Sequence, residues 1–388
     1  MDGSKTAEVS EIVAPRVLID ATAVPADRGG LGRYVDGLLA ALASLDADLA
    51  VVCQRVDAER YGRLVPAGQI VAGPASLTNR TARIAWEQTG LPLIAEHVGA
   101  KLIHAPNYSV PLRPGRPVVT TIHDATFFSE PELYPPTRGA FYRAAIRSAT
   151  KRSTRCIVPS KATRDELVRL VDADPTSIDV AYHGVDHNIF HPPTETETAR
   201  ISARLGLRGQ EYIAFLGAFE PRRNVPSLIR GWVSAVAELA NPPALVIAGG
   251  AGWDDDIEAA VAEVPDNLRV VRPGYLRIAD LPAFLGGALV VAYPSHGEGF
   301  GLPVLEAMAC GAAVLTTHRL SLPEVGGDAV AYTEPDVASI GTALSNLLAD
   351  PGRRESLGSA AHARSLEFTW QGSAEAHLAS YARAVSDQ

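Results

Sequence analysis

The chain has 388 residues, 47% of them apolar and 20% charged, and a formal net charge of −9. That length exceeds one ordinary core and fits two units of roughly 150–200 residues with a cleft between them; the composition excludes a disordered chain. The negative balance excludes a nucleic-acid binder held by a broad basic face, and the lack of any apolar run of about 18 residues excludes a bilayer-spanning helix.

Residues 1–13 are polar, lack the apolar stretch of a signal peptide, and read as a disordered tail. From 14 to 190, short β-branched runs alternate with helical patterns, the mark of a parallel sheet with crossover helices. The strand-like runs are Val17–Asp20, Leu49–Val52, Leu102–His104, Val118–Ile122, Cys156–Val158 and Asp179–Tyr182. Residues 191–210, rich in Pro, Thr and Glu at their start, form a linker that ends in a short helix. Residues 211–370 repeat the pattern, with strands at Tyr212–Leu216, Ala244–Ala248, Leu268–Val271, Leu289–Ala292 and Ala313–Thr316. Residues 371–388 are expected as a terminal helix. The fold class is therefore α/β, two Rossmann-like doubly wound parallel-sheet domains facing a central cleft. Cys53, Cys156 and Cys310 are widely spaced without a metal-ligand pattern, which suits a reducing, cytoplasmic setting.

Ligands of open parallel sheets sit beyond the C-terminal strand ends. Those ends carry Asp20, His104, His123, Ser160 and His183 in the first half, and Gly217, Gly249, Gly274 and Ser295 in the second. After the first strand, Arg28-Gly-Gly-Leu-Gly-Arg-Tyr34 leads into a helix; its glycine spacing is not the dinucleotide fingerprint, and by itself it could be a plain tight turn. His123 and Asp124 follow the strand that ends at Ile122, where a lone histidine is often only a structural residue. In Leu216-Gly-Ala-Phe-Glu-Pro-Arg-Arg-Asn224, Arg222 and Arg223 precede a helix, and the planar guanidinium fork matches phosphate oxygens.

The most informative segment is Tyr293-Pro-Ser-His-Gly-Glu-Gly-Phe-Gly-Leu-Pro-Val-Leu-Glu-Ala-Met-Ala-Cys-Gly311. A strand ends, a glycine loop follows, and Pro303 suits the first turn of a helix closed by Gly311. Such a loop offers backbone N–H groups at a positive helix end, a ready phosphate site. Glu298 and Glu306 are expected to face one pocket, where carboxylates accept hydrogen bonds from sugar and ribose hydroxyls.

Two glutamates separated by seven residues, within Glu298-Gly-Phe-Gly-Leu-Pro-Val-Leu-Glu306, resemble the donor signature of glycosyltransferase family 4, enzymes of the GT-B fold. The resemblance extends through Thr121-Ile-His-Asp-Ala-Thr-Phe-Phe128, Val158–Leu167, His183-Gly-Val-Asp186, Gly274-Tyr-Leu276 and Leu322-Pro-Glu-Val325. Where the family more often has Arg-Lys, this chain has Arg222-Arg223. The resemblance implies that Glu306 holds the nucleotide ribose, Glu298 contacts the donor sugar, and Arg222 and Arg223 clamp the diphosphate. Gly217, Gly299, Phe300, Gly301 and Leu302 line the donor, Tyr275 and Leu276 flank the nucleobase, and Gly29, Gly30 and Gly32 let the backbone approach donor diphosphate or acceptor. His123 stands beside the transferred sugar, with His104, Asn107, Tyr108 and Asp124 on the acceptor side; Asp124 either orients the imidazole or binds acceptor hydroxyls. The terminal helix crosses back onto the first domain.

The resemblance further implies retention of anomeric configuration and no required metal or other cofactor. Asp254-Asp255-Asp256 contains an Asp-x-Asp pattern, read as acidic residues at a helix start rather than a metal site. The basic run Arg138, Arg143, Arg147, Lys151, Arg152 and Arg155 reads as one helical face, solvated or in peripheral contact with anionic lipid, with Phe141, Tyr142 and Ile146 in the core. The branch resembled is rich in bacterial α-mannosyltransferases, which favours GDP-mannose as donor and a saccharide or glycolipid hydroxyl as acceptor. Rhamnosyl and glucosyl donors are the alternatives, followed by a nucleotide-sugar epimerase or a non-catalytic sugar-nucleotide binder. A pyridoxal-phosphate phosphorylase is excluded, because every lysine lies at or before Lys161.

Overall fold

A computed structural model describes residues 15–387; the tail read at 1–13 lies outside the described residues, as does residue 388. Two parallel sheets carry the chain. The first contains β1 (Val17–Asp20), β2 (Leu49–Cys53), β3 (Gln69–Ala72), β4 (Leu102–Ala105), β5 (Val118–Thr121), β6 (Arg155–Val158) and β7 (Ile178–Val180), in the order β3-β2-β1-β4-β5-β6-β7. The second contains β8 (Tyr212–Leu216), β9 (Ala244–Ala248), β10 (Val270–Gly274), β11 (Val290–Tyr293), β12 (Val314–Thr317) and β13 (Ala331–Thr333), in the order β10-β9-β8-β11-β12-β13. Every pairing is parallel, with Val17 opposite both Leu49 and Leu102 in the first sheet and Ala214 beside Val246 and Val291 in the second.

Central strands are buried on both faces, which is why they read as continuous apolar runs. β3 and β13, at or near the rim, were not read from the sequence. β3 is a half-exposed edge with a polar first residue, and β13 is three residues long, so neither has the apolar run that marks a central strand. β10 starts two residues later than expected. It is also an edge strand, and its register shifts between Val271 and Gly274, where Pro273 has no N–H to donate.

The helix Gly29–Ser44 buries Tyr34, Val35, Leu38, Leu39 and Leu42, a spacing that keeps one face on the sheet. Against the same face packs the terminal helix Trp370–Ser386, through Ala374, Tyr381 and Ala384. Its His377 Nε2 and Tyr34 Oη share a 2.8 Å hydrogen bond. The second half has its own core, in which Trp232, Phe215, Tyr293 and Met308 are fully covered. All three cysteines are free and buried. No helix among the described residues is long and apolar enough to cross a membrane.

The basic run does not form one free face on the helix Pro136–Arg152. Arg155 lies beyond that helix in β6 and is buried against Asp179, Arg143 donates to the Phe127 carbonyl at 3.0 Å, and Arg138 lies 4.1 Å from the Trp253 ring centre. Arg147, Lys151 and Arg152 remain exposed. Phe141, expected in the core, is exposed beneath the guanidinium of Arg80.

Candidate active site

The strand order reverses beside β1 in the first sheet and beside β8 in the second, and the loops leaving β1, β4, β8 and β11 face each other there. They enclose a cleft of about 840 Å³. Gly30, Asn107, Tyr108, His123, Asp124, Arg222, Arg223, Glu298, Gly299, Phe300, Gly301 and Leu302 all border it. An adjoining narrower pocket is lined by Gly30, Gly217, Arg223, Tyr275, Leu276 and Leu302.

Glu298 follows β11 on the glycine loop and is buried. Its carboxylate pairs with the buried guanidinium of Arg222 and accepts from Tyr293 Oη at 2.8 Å. Burial pulls its pKa upward, but the nearby cations of Arg222 and Arg223 outweigh this and hold it below the usual carboxylate value. Glu298 is therefore an anion at neutral pH, committed to a cation rather than poised to give up a proton.

Arg222 and Arg223 sit on a single tight turn after β8, closed by Asn224 in the left-handed conformation. The Asn224 amide fixes the turn by donating to the carbonyls of Pro294 and Pro335. Arg222 also donates to the Gly297 carbonyl at 2.8 Å, so this turn holds the donor loop in place. The buried Nε of Arg223 has no hydrogen-bond partner, and its guanidinium borders both pockets. The Nε of Arg222 is unpartnered as well, so what separates the two arginines is their remaining contacts. Arg222 is bound to Glu298 and to the Gly297 carbonyl, whereas Arg223 has only long contacts, to Glu220 at 3.9 Å and to the Ala218 carbonyl at 3.5 Å, which leaves it the more available to a ligand anion.

The helix Leu302–Ala309 starts at Gly301, whose φ of +100° only glycine adopts without strain. Pro303 occupies its first turn. Gly299 has a different constraint: a Cβ there would lie 1.8 Å from the carbonyl oxygen of His123, so the loop meets the first domain at van der Waals contact.

Three placements differ from the sequence reading. Glu306 does not share a wall with Glu298: it lies one helical turn behind the loop, almost fully buried, and Arg33 Nε from the first domain stands 2.6 Å from its Oε1. That contact is an ion pair without hydrogen-bond alignment, and the other oxygen, Oε2, has no partner. Burial pushes the Glu306 pKa up to about 6, with Arg33 opposing the rise. His104 is not at the cleft. Its ring is completely buried under the terminal helix, bonded to Thr121 Oγ1 and Tyr381 Oη at 2.8 Å each, because its side chain leaves β4 towards the helix-covered face. Gly32 is inside the first helix, where a Cβ would meet the Arg28 side chain rather than a ligand.

His123 lines the cleft, and burial pushes its pKa down to about 4 against the opposing pull of its bond to Pro106. Its Nε2 lies 2.7 Å from the Pro106 carbonyl, which can only accept. The neutral ring thus carries its proton on Nε2 and offers Nδ1 as an acceptor. Asp124 accepts from Thr126 N and Oγ1 rather than from the imidazole, and burial raises its pKa despite Arg222. Asp254 accepts weakly from the Asp256 amide ahead of the helix Asp256–Ala262. Among the described residues no group of three or more His, Cys, Asp and Glu side chains could hold a metal ion.

Sequence reasoning gave no role to Arg33, Trp253 or Glu324, all of which reach across the cleft. Trp253 Nε1 donates to the Leu133 carbonyl at 3.3 Å and Glu324 accepts from the amides of Lys161 and Ala162. Tyr275 also crosses it, Oη donating to the Asp27 carbonyl at 3.0 Å.

The chain is similar to known proteins in sequence and in fold. Residues 28–189 match the family model described as Glycosyltransferase Family 4, and residues 197–364 match that of Glycosyl transferases group 1. The O-antigen chain mannosyltransferase B of Escherichia coli is 31% identical over 70% of this chain and 71% of its own. A D-inositol 3-phosphate glycosyltransferase of Frankia alni is 29% identical over 93% of this chain and 96% of its own. In fold, the chain is similar to a sucrose-phosphate synthase from Thermosynechococcus elongatus (TM-score 0.75, 21% identity, 96% of this chain and 100% of that one). It is also similar to Anabaena HepE in complex with UDP-glucose (TM-score 0.73, 18% identity, 94% and 98%). Two family models in tandem, and a relative above 30% identity aligned over most of its own length, establish that this chain belongs to glycosyltransferase family 4, with the GT-B fold.

Proposed function

We propose that the protein transfers mannose from GDP-mannose to a hydroxyl of a saccharide or glycolipid acceptor, with retention of anomeric configuration and without a metal. The observation that carries this reading is the pairing of a built anion, Glu298 on Arg222, with a second cation, Arg223, which borders both pockets and is held only by long contacts to Glu220 at 3.9 Å and to the Ala218 carbonyl at 3.5 Å. Departure of a nucleoside diphosphate needs fixed positive charge at the leaving oxygens, and Arg223 with the loop amides from Phe300 to Leu302 would supply it already oriented. The ionised Glu298, held by Arg222 and Tyr293, is a weak nucleophile and no acid; its role in this reading is to position the sugar and stabilise positive charge at the anomeric carbon. His123, neutral with Nδ1 free to accept, would receive a sugar hydroxyl, and the departing phosphate would take the acceptor proton.

The mannosyltransferase relative favours mannose, while the inositol 3-phosphate glycosyltransferase relative keeps other donors in the test. A thermal-shift panel of GDP-, UDP-, ADP- and dTDP-sugars decides among them, because a ligand of the native state raises its melting temperature. GDP-mannose giving the largest shift supports the reading; a larger shift with another donor replaces mannose, and no shift with any donor removes the donor site.

A further inference from the structure

Most cross-cleft contacts are single bonds, but one set closes on itself around the donor loop. The short helix Leu322–Gly326 belongs to the second domain. Just before it, Ser321 Oγ donates to the carbonyl of Glu298 at 2.7 Å. One turn on, the Glu324 carboxylate reaches the first domain, where Oε2 accepts from the Lys161 amide at 2.9 Å and Oε1 from the Ala162 amide at 2.7 Å. Those are the first two amides of the helix Lys161–Val171, donors that no intrahelical carbonyl satisfies. Tyr182 Oη adds a third bond to Glu324 at 2.9 Å.

The N-cap of that same helix is Ser160, whose hydroxyl accepts from the Thr163 amide and donates to the carbonyl of Gly299 at 2.7 Å. Thr163 Oγ1 donates to the same carbonyl at 3.1 Å. Ser160 is completely covered and Thr163 nearly so. Successive carbonyls of the donor loop are thus held from opposite sides: Glu298 by its own domain, Gly299 by the other. Glu324 spans the two holders. Arg364 braces the bridge by donating to the carbonyls of Glu324 and Val325, each at 2.7 Å.

From this circuit we infer that Glu324 is a positioning residue for the transfer step: by capping the Lys161 helix across the cleft it keeps Ser160 and Thr163 on Gly299, and so fixes Glu298 against the His123 side. This rests on the transferase reading of the cleft. Charge matters as well as reach, since a carboxylate at a helix N-terminus gains from the helix dipole as well as from two charge-assisted bonds. Neither Glu324 nor Ser160 nor Thr163 lines either pocket that borders Arg223, so losing their side chains should leave the donor contacts intact.

The test compares wild type with Glu324→Ala, Glu324→Gln and the double variant Ser160→Ala/Thr163→Val, using GDP-mannose as the donor probe. In Glu324→Ala, kcat falls about 10- to 100-fold while the donor Kd by calorimetry stays within about threefold. Glu324→Gln, which can still accept one amide, recovers part of the loss. Hydrogen exchange on unliganded protein shows the Lys161 and Ala162 amides exchanging at least about tenfold faster in Glu324→Ala. The double variant keeps Glu324 and so answers if Glu324→Ala fails to fold; it lowers kcat in the same way. An unchanged kcat in either variant, or amides at 161 and 162 as protected as in wild type, overturns the inference. If wild type transfers nothing from any donor, the transferase reading falls, and the exchange rates still decide whether Glu324 holds the helix.

Discussion

Arg33, from the first domain, places Nε 2.6 Å from Oε1 of Glu306, the buried glutamate behind the donor loop of the second. The two residues are far apart in the chain, and the pair exists only because the domains face each other. Its second carboxylate oxygen is unpartnered, leaving one acceptor for a ligand hydroxyl.

Donor affinity should therefore depend on pH. Burial raises the Glu306 pKa to about 6 and Arg33 opposes that rise. The ionised form is the better acceptor for ribose hydroxyls, so affinity grows as pH climbs through about 6 and levels off above roughly 7. In Arg33→Ala burial acts unopposed, and the rise moves to higher pH; in Glu306→Gln it disappears. Calorimetric titration with GDP-mannose between roughly pH 5.5 and 8 checks this. A flat wild-type profile would count against Glu306 as a ribose ligand.

The adjacent arginines should fail differently. Arg222→Ala strands a buried carboxylate, a change that typically costs about 3–5 kcal/mol, so it lowers the melting temperature along with activity. Arg223→Ala removes only long contacts, to Glu220 at 3.9 Å and the Ala218 carbonyl at 3.5 Å, so stability changes little while donor binding weakens about 10- to 100-fold, the worth of one or two charge-assisted bonds. Melting curves and donor titrations of both variants separate the roles; equal stability loss in both would merge them again.

Gly299→Ala tests the close approach of the loop to the first domain. A Cβ would stand 1.8 Å from the His123 carbonyl oxygen, which forces the domains apart or tilts the loop. Donor contacts within the second domain survive, so the expectation is at least a 100-fold drop in kcat, of the order seen for a misplaced reacting group, with donor Kd within a few-fold. Single-turnover kinetics alongside calorimetry give both numbers. Near-normal turnover would mean that the domains need not meet here for transfer.

Stability should fall on mild acidification. His104, His183 and His377 are buried and His123 is half-buried at the cleft, and desolvation lowers each pKa, to about 4 for His123 and His377. The unfolded chain, with ordinary values near 6.5, binds more protons below that pH than the folded one. Each histidine then removes up to about 1.4 kcal/mol per pH unit as pH drops from about 6.5 towards 4. Melting temperatures at pH 7, 6 and 5 read this directly, and His377→Gln should flatten part of the slope. An identical slope in that variant would place the proton uptake elsewhere.

Much of the fold is legible in the sequence because doubly covered parallel strands are continuous apolar runs: β8 and β9 have the expected limits residue for residue. β3 and β13 escape because a rim strand is buried on less of its surface. The donor loop is legible for a similar local reason, since strand, glycine turn and proline-led helix follow within one segment. What the sequence hides is direction and partnership. His104 stands at a strand end like His123, yet its side chain points to the other face. The partners of Glu306 and Glu324 come from the opposite domain, and no spacing rule relates Arg33 to Glu306 or Lys161 to Glu324. Arg222 and Arg223 look equivalent in sequence, and only the position of Glu298 separates them.

The central claim is that Glu298 and Arg223 serve transfer from a nucleotide sugar. Its most direct test is to incubate the wild-type protein and Glu298→Gln with GDP-mannose and simple α-mannoside acceptors, and to follow the products by mass spectrometry and anomeric proton NMR. The account predicts one added hexose in α linkage with wild type and at least a 100-fold slower reaction with Glu298→Gln, the scale expected for loss of one preorganised charge, at nearly unchanged donor Kd. Transfer at the wild-type rate by Glu298→Gln, or a β-linked product, would contradict it.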